Sequence, residues 1–181
     1  MMGMSHWNDA IVTIDAGSAD SFLRHLLRLD QEARLRRFCH PASDACIRAY
    51  VDDLDLTWGR VIGFFQDGEM RGAAELSPSG SARAPAFEAT FSVERDWQRR
   101  GIGKALFLRA ISVARRQGAN HILVGCLAGN ESMQRIVAQF DAELLLDDDD
   151  CRAWLPLGRT SHGDPAKRPA QSVRQPASPS S

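Results

Sequence analysis

From Ala86 to Val93 the chain alternates, with Phe87, Ala89, Phe91 and Val93 on one side and Glu88, Thr90 and Ser92 on the other. That period of two predicts a strand with one buried face. A polar stretch, Glu94 to Arg100, follows, and the period then changes. At about 100° per residue, Ile102, Leu106, Phe107, Ala110, Ile111, Val113 and Ala114 cover half of a helix. Arg109, Ser112, Arg115 and Arg116 cover the other half, Leu108 being the exception, and Gly118 suits the C-terminal cap. Ile122 to Leu127 is nearly all apolar and predicts a strand buried on both faces. Asn130 opens another helix, with Met133, Ile136, Val137 and Phe140 at helical spacing. Ala142–Leu146 and Arg152–Leu157 predict two strands joined at Asp147–Asp150.

Upstream, Ala10–Ile14 predicts a first strand, and Asp20–Leu29 and Asp30–Phe38 two helices. Ser43 is an N-cap for a third helix running to about Val51. Trp58–Phe65 and Met70–Leu76 form a hairpin about Asp67-Gly68. Ser77–Pro85, rich in Ser, Gly and Pro, predicts a loop. From Gly158 onward Val173 is the only aliphatic residue larger than alanine, so residues 158–181 are expected to be a disordered tail. One domain over residues 8–157 remains.

Composition narrows the classes. The chain has 181 residues, 44% of them hydrophobic, and a net charge of −1. No general field therefore favours nucleic acid or an anionic membrane. No stretch approaches the ~20 apolar residues of a membrane span. Met1–Ala19 lacks the basic start and apolar centre of a secretion signal. Cys39, Cys46, Cys126 and Cys151 show no Cys-x-x-Cys spacing, and only Cys39 adjoins a histidine, His40. The four aspartates at 147–150 have no Gly or Glu at calcium-loop spacing and suit a solvated turn. A reduced, cytoplasmic protein without a metal, nucleic-acid or membrane partner is expected.

The chemistry concentrates at Trp97-Gln98-Arg99-Arg100-Gly101-Ile102-Gly103. A strand-to-helix turn gathers unpaired N–H groups at the positive end of the helix dipole, and glycines let a ligand approach the backbone. Gly-x-Gly alone also fits an ordinary helix entry; Gln98, Arg99 and Arg100 favour an anion such as a pyrophosphate. Leu106 stands where a dinucleotide-binding turn needs a third small residue. Ala105 stands where a phosphate loop of the Gly-Lys-Ser/Thr type needs a hydroxyl.

This turn and the order of elements around it resemble the GNAT N-acetyltransferase family, in layout from about Ile11 to Leu157 and in motif from Glu88 to Phe140. The resemblance implies an α/β fold with a mixed central sheet, helices on both faces and a V-shaped cleft between two parallel strands. It implies acetyl-CoA as cosubstrate and no metal. Backbone at Ser92, Val93 and Arg95 would hold pantetheine. The amides of Gln98, Arg99, Arg100, Gly101, Ile102, Gly103, Lys104 and Ala105 would hold the pyrophosphate. Asn130 is either a cofactor contact or a plain helix cap. Glu88-Ala89, Gly125 before Leu127, Asn130 with Met133, and the hairpin before Trp154-Leu155 are similar to the bacterial protein-lysine acetyltransferase branch.

Many members place a tyrosine acid seven residues after the position of Asn130, where this chain has Val137. Phe140-Asp141-Ala142 replaces their usual Gly-Phe ending, and the single tyrosine is Tyr50. Transfer to an amine also needs a base. Glu88, on the polar side of the strand beside the cleft, is the leading candidate, and burial there would raise its pKa; the alternative is a solvent-facing glutamate. Glu75 and Glu94 are weaker candidates. A backbone N–H near Val93 would face the thioester oxygen. Arg34, Arg36, Arg37 and Phe38, with the Ser77–Pro85 segment, either shape the acceptor site or form a solvated face. The expected activity is acetyl transfer to a primary amine, a protein lysine ahead of a small amine, with a silent acyl-CoA sensor as a further alternative.

Overall fold

Two antiparallel blocks of strands, joined by one short parallel pairing, make the sheet. The computed structural model describes residues 10–157 apart from 57–59, 82, 128, 141 and 147–149. The expected tail at 158–181, Trp58, Asp147–Asp149 and the chain before position 10 lie outside the described residues. The first block holds β1 (Ile11–Ile14), β2 (Val61–Gln66), β3 (Glu69–Ser81) and β4 (Ala84–Val93). The second holds β5 (His121–Leu127), β6 (Glu143–Leu146) and β7 (Asp150–Pro156). Their order is β1-β2-β3-β4-β5-β7-β6, with only β4 and β5 parallel.

Helices cover both sides. On one face α4 (Ile102–Arg116) lays Ile102, Leu106, Phe107, Ala110, Val113 and Ala114 against Phe64, Ala74, Leu76, Phe87 and Ala89. On the other, α1 (Ala19–Arg28) and α3 (Asp44–Asp52) bring Phe22, Leu26, Ile47 and Val51 against Val61, Met70 and Ala73. Ala73 and Ala74 serve opposite cores because adjacent strand residues point to opposite faces. Between α1 and α3 lies α2 (Gln31–Phe38), and α5 (Glu131–Val137) follows β5. The caps match the sequence: Ser43 and Asp30 accept from backbone N–H groups of α3 and α2, and Gly118, at φ +76°, follows the end of α4.

Two expectations fail. Ser77–Pro85 is not a loop: β3 and β4 stay paired out to Ser81 and Ala84. Pro78 and Gly80 are tolerated there because β2 pairs with β3 only as far as Glu75, which frees one edge beyond that point. Nor is β5 buried on both faces. Ile122, Val124 and Cys126 are buried against the α4 side, while His121, Leu123, Gly125 and Leu127 are only half-buried, because no helix lies fully over the other face.

One buried charge ties the α1–α3 side to the sheet. Glu75 on β3 is 2% exposed and pairs with Arg37 of α2, with the Tyr50 hydroxyl of α3 and, at 3.1 Å, with Arg60 Nε. Arg37 stacks its guanidinium on the rings of Phe38 and Tyr50, at 4.9 and 5.5 Å. Burial pushes the Tyr50 hydroxyl up to about 12, so it stays a donor. Removing one member of a buried ion pair strands the other in low dielectric and costs about 3–5 kcal/mol. Glu75→Ala should lose about that much stability in urea unfolding; a loss below about 1 kcal/mol would show that Arg37 finds another partner.

Candidate active site

The site begins where the parallel pairing stops. β4 and β5 are in register from Ala86–His121 to Ala89–Val124 and no further. Beyond that point β4 stays with β3 as far as Val93, and β5 stays with β7 as far as Leu127. The two strands diverge, and a cavity of about 200 Å³ fills the angle. Glu88, Thr90 and Phe91 line its β4 wall, Gly125 and Cys126 its β5 wall, and Asn130 and Met133 the start of α5. Arg36, Arg37 and Cys39 reach it from the end of α2, and Cys151 and Arg152 from β7.

Main-chain direction along β4 decides what faces the opening. Glu94 N–H donates to Arg71 O at 3.0 Å, so the pair Val93/Gly72 is of the type whose backbone groups point away from each other. Val93 therefore turns N–H and C=O toward the opening, and the Gln98 side-chain amide donates to that carbonyl at 3.0 Å. Alternation does the same for Phe91. Ser92 is the reverse: its backbone points toward β3, and its side chain, buried under α1, meets His25. The expectation that Ser92 backbone lines the cleft is therefore corrected, and Phe91 takes its place.

At the turn, Arg99 and Gly101 adopt positive φ, +58° and +83°. Gly101 caps α4 without a side chain, and the first α4-region amide to find a helical acceptor is Ala105, on Gly101 O at 3.0 Å. The amides before it lie at the positive end of a 15-residue helix. Side chains hold the turn: Gln98 latches to Val93, and Arg100 lies over the Trp97 ring at 4.8 Å. Arg95 instead reaches outward to Asp30 at 3.5 Å, and Lys104 to Gln139. Gly103 faces α5, since a Cβ there would lie 3.3 Å from Ile136 Cδ1. Asn130 Oδ1 accepts from Met133 N–H at 3.2 Å, which makes it the α5 cap at the cavity wall.

Of the three carboxylates considered as bases, only Glu88 is available. Glu75 is enclosed by its ion pairs. Glu94 accepts from Arg28 at 2.9 Å, Arg71 at 3.1 Å and His25 Nδ1 at 3.1 Å. Burial alone would raise its pKa, but hydrogen bonds from His25, Arg28 and Arg71 hold it down at about 2. Glu88 is exposed, so the expected burial is absent. Arg34 is also not an open cation: it donates to Leu27, Leu29 and Ala42 carbonyls and pairs with Asp44. Val137 is 1% exposed, packed in the core.

Two groups of the site escape the sequence reading. His25 continues the Phe22–Leu26–Leu29 stripe of α1, and that phase was the available sign of its burial. Arg152 reaches the cavity only through the β5–β7 register, which no local pattern encodes.

Comparison with known proteins agrees with this geometry. The model of the acetyltransferase (GNAT) family matches residues 23–140. No curated protein sequence matches significantly. Solved structures share the fold at low identity. The GNAT domain of S. lividans PAT is 18% identical, with a TM-score of 0.66 over 81% of this chain and 89% of that one. YncA of Salmonella typhimurium, a putative acetyltransferase solved with its cofactor acetyl-CoA, is 17% identical, with a TM-score of 0.62 over 86% and 97%. An agmatine N-acetyltransferase in its apo form is 12% identical, with a TM-score of 0.64 over 81% and 98%.

The chain belongs to the GNAT acetyltransferase family. It is an acyltransferase, with acetyl-CoA-dependent N-acetyltransferase activity of the GNAT type. No helix among the described residues is long and apolar enough to cross a membrane.

The His25–Glu94 pair gives the site a pH signature. Burial lowers the His25 pKa below 6.5, so the folded protein keeps it neutral, with Nδ1–H donating to Glu94 and Nε2 accepting from the Ser92 hydroxyl at 2.9 Å. The unfolded chain binds that proton below about pH 6.5, so stability falls as pH drops under this value. Glu94 adds a second loss between about pH 4.5 and 2, again because the unfolded state takes the proton first. Urea midpoints should therefore decline from pH 7.5 to 5.5 and further at 3.5. In His25→Phe the first decline should shrink; an unchanged profile would mean that His25 is not held neutral.

Proposed function

We propose that the protein acetylates the ε-amine of a lysine on another protein, with acetyl-CoA as donor and Glu88 accepting the proton. The observation that carries this reading is that Glu88 is the one carboxylate among the described residues lining the cavity where β4 leaves β5. A lysine amine titrates near 10.4 and is almost wholly protonated at pH 7, whereas attack needs the neutral form. An exposed carboxylate at the cleft can take the proton directly or through one water. Among the described residues three arginines and one glutamate line the cavity, which disfavours a polycationic acceptor such as a polyamine. Leu123 and Trp154, paired across β5 and β7, are only half-buried on the same sheet face, room for a protein surface. A likeness to the protein-lysine branch motifs supports the same choice.

Acetyl-CoA brings an activated acyl group on a thiol that leaves readily. The chain supplies its seat. In this reading Phe91 and Val93 offer main-chain groups to the pantetheine arm, and the Val93 N–H faces the thioester oxygen. The amides from Arg99 to Lys104 take the pyrophosphate, with Arg99 and Arg100 adding charge; the Ala105 amide, expected to join them, is engaged by Gly101 O instead. Gln98 and Asn130 hold the turn and α5 in place, and Arg95 marks the end of the β4 edge. Tyr50 is held by Glu75 and does not serve as the missing acid. We further place the 8–157 domain in the cytoplasm, where thiols stay reduced, in keeping with four cysteines that show no Cys-x-x-Cys spacing.

A general base contributes roughly 10²–10⁴-fold to rate. Glu88→Gln should lower kcat by about that factor, read as free-CoA release, and the residual rate should climb with pH as the amine deprotonates unaided. Near-wild-type kcat at pH 7 would remove Glu88 from the base role. The pyrophosphate seat is tested at Gly101, because a side chain at Gly103 would strike α5. A Cβ at Gly101 meets no atom within 4 Å, and aspartate is among the residues that tolerate positive φ. Gly101→Asp should weaken acetyl-CoA binding at least about tenfold by calorimetry, by setting a negative charge among N–H groups worth about 0.5–1.5 kcal/mol each. Unchanged affinity with an intact fold would move the pyrophosphate elsewhere.

A further inference from the structure

Glu88 and Arg152 stand on either side of Gly125 with opposite charges, and neither forms an ion pair among the described residues. Gly125 is the register partner of Arg152 across β5 and β7, and a Cβ on Gly125 would lie 3.6 Å from Glu88 Oε1. All three line the same cavity. Glu88, Gly125 and Arg152 share one face of the sheet. Leu123 of β5 is in register with Glu88 of β4, Gly125 follows it by two residues, and Arg152 lies opposite Gly125. On its other side Arg152 is in register with Leu145 of β6, so neither cross-strand partner offers it a charge.

The other arginines at the cavity differ. Arg37 is buried against Glu75, and Arg36 pairs with Glu32 one turn back along α2. Arg152 is exposed and has no ion-pair partner among the described residues. An exposed, unpaired guanidinium beside a carboxylate is a two-pole arrangement: one pole receives an amine, the other an anion. Guanidinium binds carboxylate through two parallel N–H···O bonds, which sets orientation as well as attraction.

We propose that Arg152 is a specificity-determining residue that binds a carboxylate on the acceptor, so that the preferred lysine carries an Asp or Glu close by. This rests on the lysine-acceptor reading above and names the sequence context that the acceptor must supply. The glycine between the poles keeps the floor open: a Cβ there would already stand in van der Waals contact with Glu88. Complementary charge at a site of this kind discriminates among partners as much as it attracts one.

The test compares kcat/KM for two otherwise identical lysine peptides, one with glutamates flanking the lysine and one with alanines, in wild-type protein and in Arg152→Glu. Wild-type protein should prefer the acidic peptide by about tenfold, the scale of one charge-assisted hydrogen-bonded pair. Arg152→Glu should abolish or invert that ratio, and a third peptide with flanking arginines should then become the better substrate. Equal rates on acidic and neutral peptides in wild type, or a ratio that Arg152→Glu leaves in place, would overturn the proposal while the lysine reading stands. Free-CoA release with a small amine but with none of the three peptides would overturn the lysine reading, and this proposal with it. Acetyl-CoA affinity measured on both proteins separates either result from a misfolded variant.

Discussion

The end of parallel pairing at Ala89 and Val124 is the constraint on which the site depends. A paired strand edge has its N–H and C=O groups engaged, and a ligand can use them only where the partner strand departs. Here each strand keeps an antiparallel neighbour on its far side, so the separation does not leave either strand unsupported. The sheet remains continuous while one stretch of β4 edge is free. The glycine turn, the Glu88 carboxylate and the start of α5 are then placed by the lengths of β4 and β5 beyond that point.

Charges around the cleft divide into those that hold the fold and those left open. Glu75 with Arg37, Arg60 and Tyr50 fastens α2 and α3 to β3. Glu94 with His25, Arg28 and Arg71 fastens α1 to the end of β4 just before the glycine turn. Both carboxylates are well enclosed, with side chains 2% and 11% exposed. Glu88 and Arg152 remain exposed without ion-pair partners among the described residues. Enclosed and satisfied groups rigidify a structure, whereas exposed unpaired ones are available to a ligand. The missing tyrosine acid fits the same division, since Val137 at that position belongs to the apolar core.

Much of this was legible along the chain. Local patterns carry it: the period of two in β4, the 3.6 period in α4, the caps at Ser43 and Gly118, and the glycine turn between strand and helix each involve residues a few positions apart. The polar face of β4 likewise placed Glu88, Thr90 and Ser92 together. The errors fell where pairing at a distance decides. Ser77–Pro85 has loop composition, yet the β3–β4 ladder extends through it because an edge position tolerates Pro78 and Gly80. The apolar run of β5 reads as buried on both faces, yet one face is only partly covered.

The sequence by itself determined the element order, the family and the position of the glycine turn, since these follow from periodicity and from a contiguous motif. Only the tertiary structure decided which charged groups are free. Glu75, Glu88 and Glu94 look alike in sequence, and partners from 15 to 69 positions away separate them. The same holds for the backbone: whether Ser92 or Val93 faces the cleft depends on its hydrogen-bonded alternation with β3. Burial and pairing are properties of neighbours in space, and a residue's own pattern along the chain does not specify them.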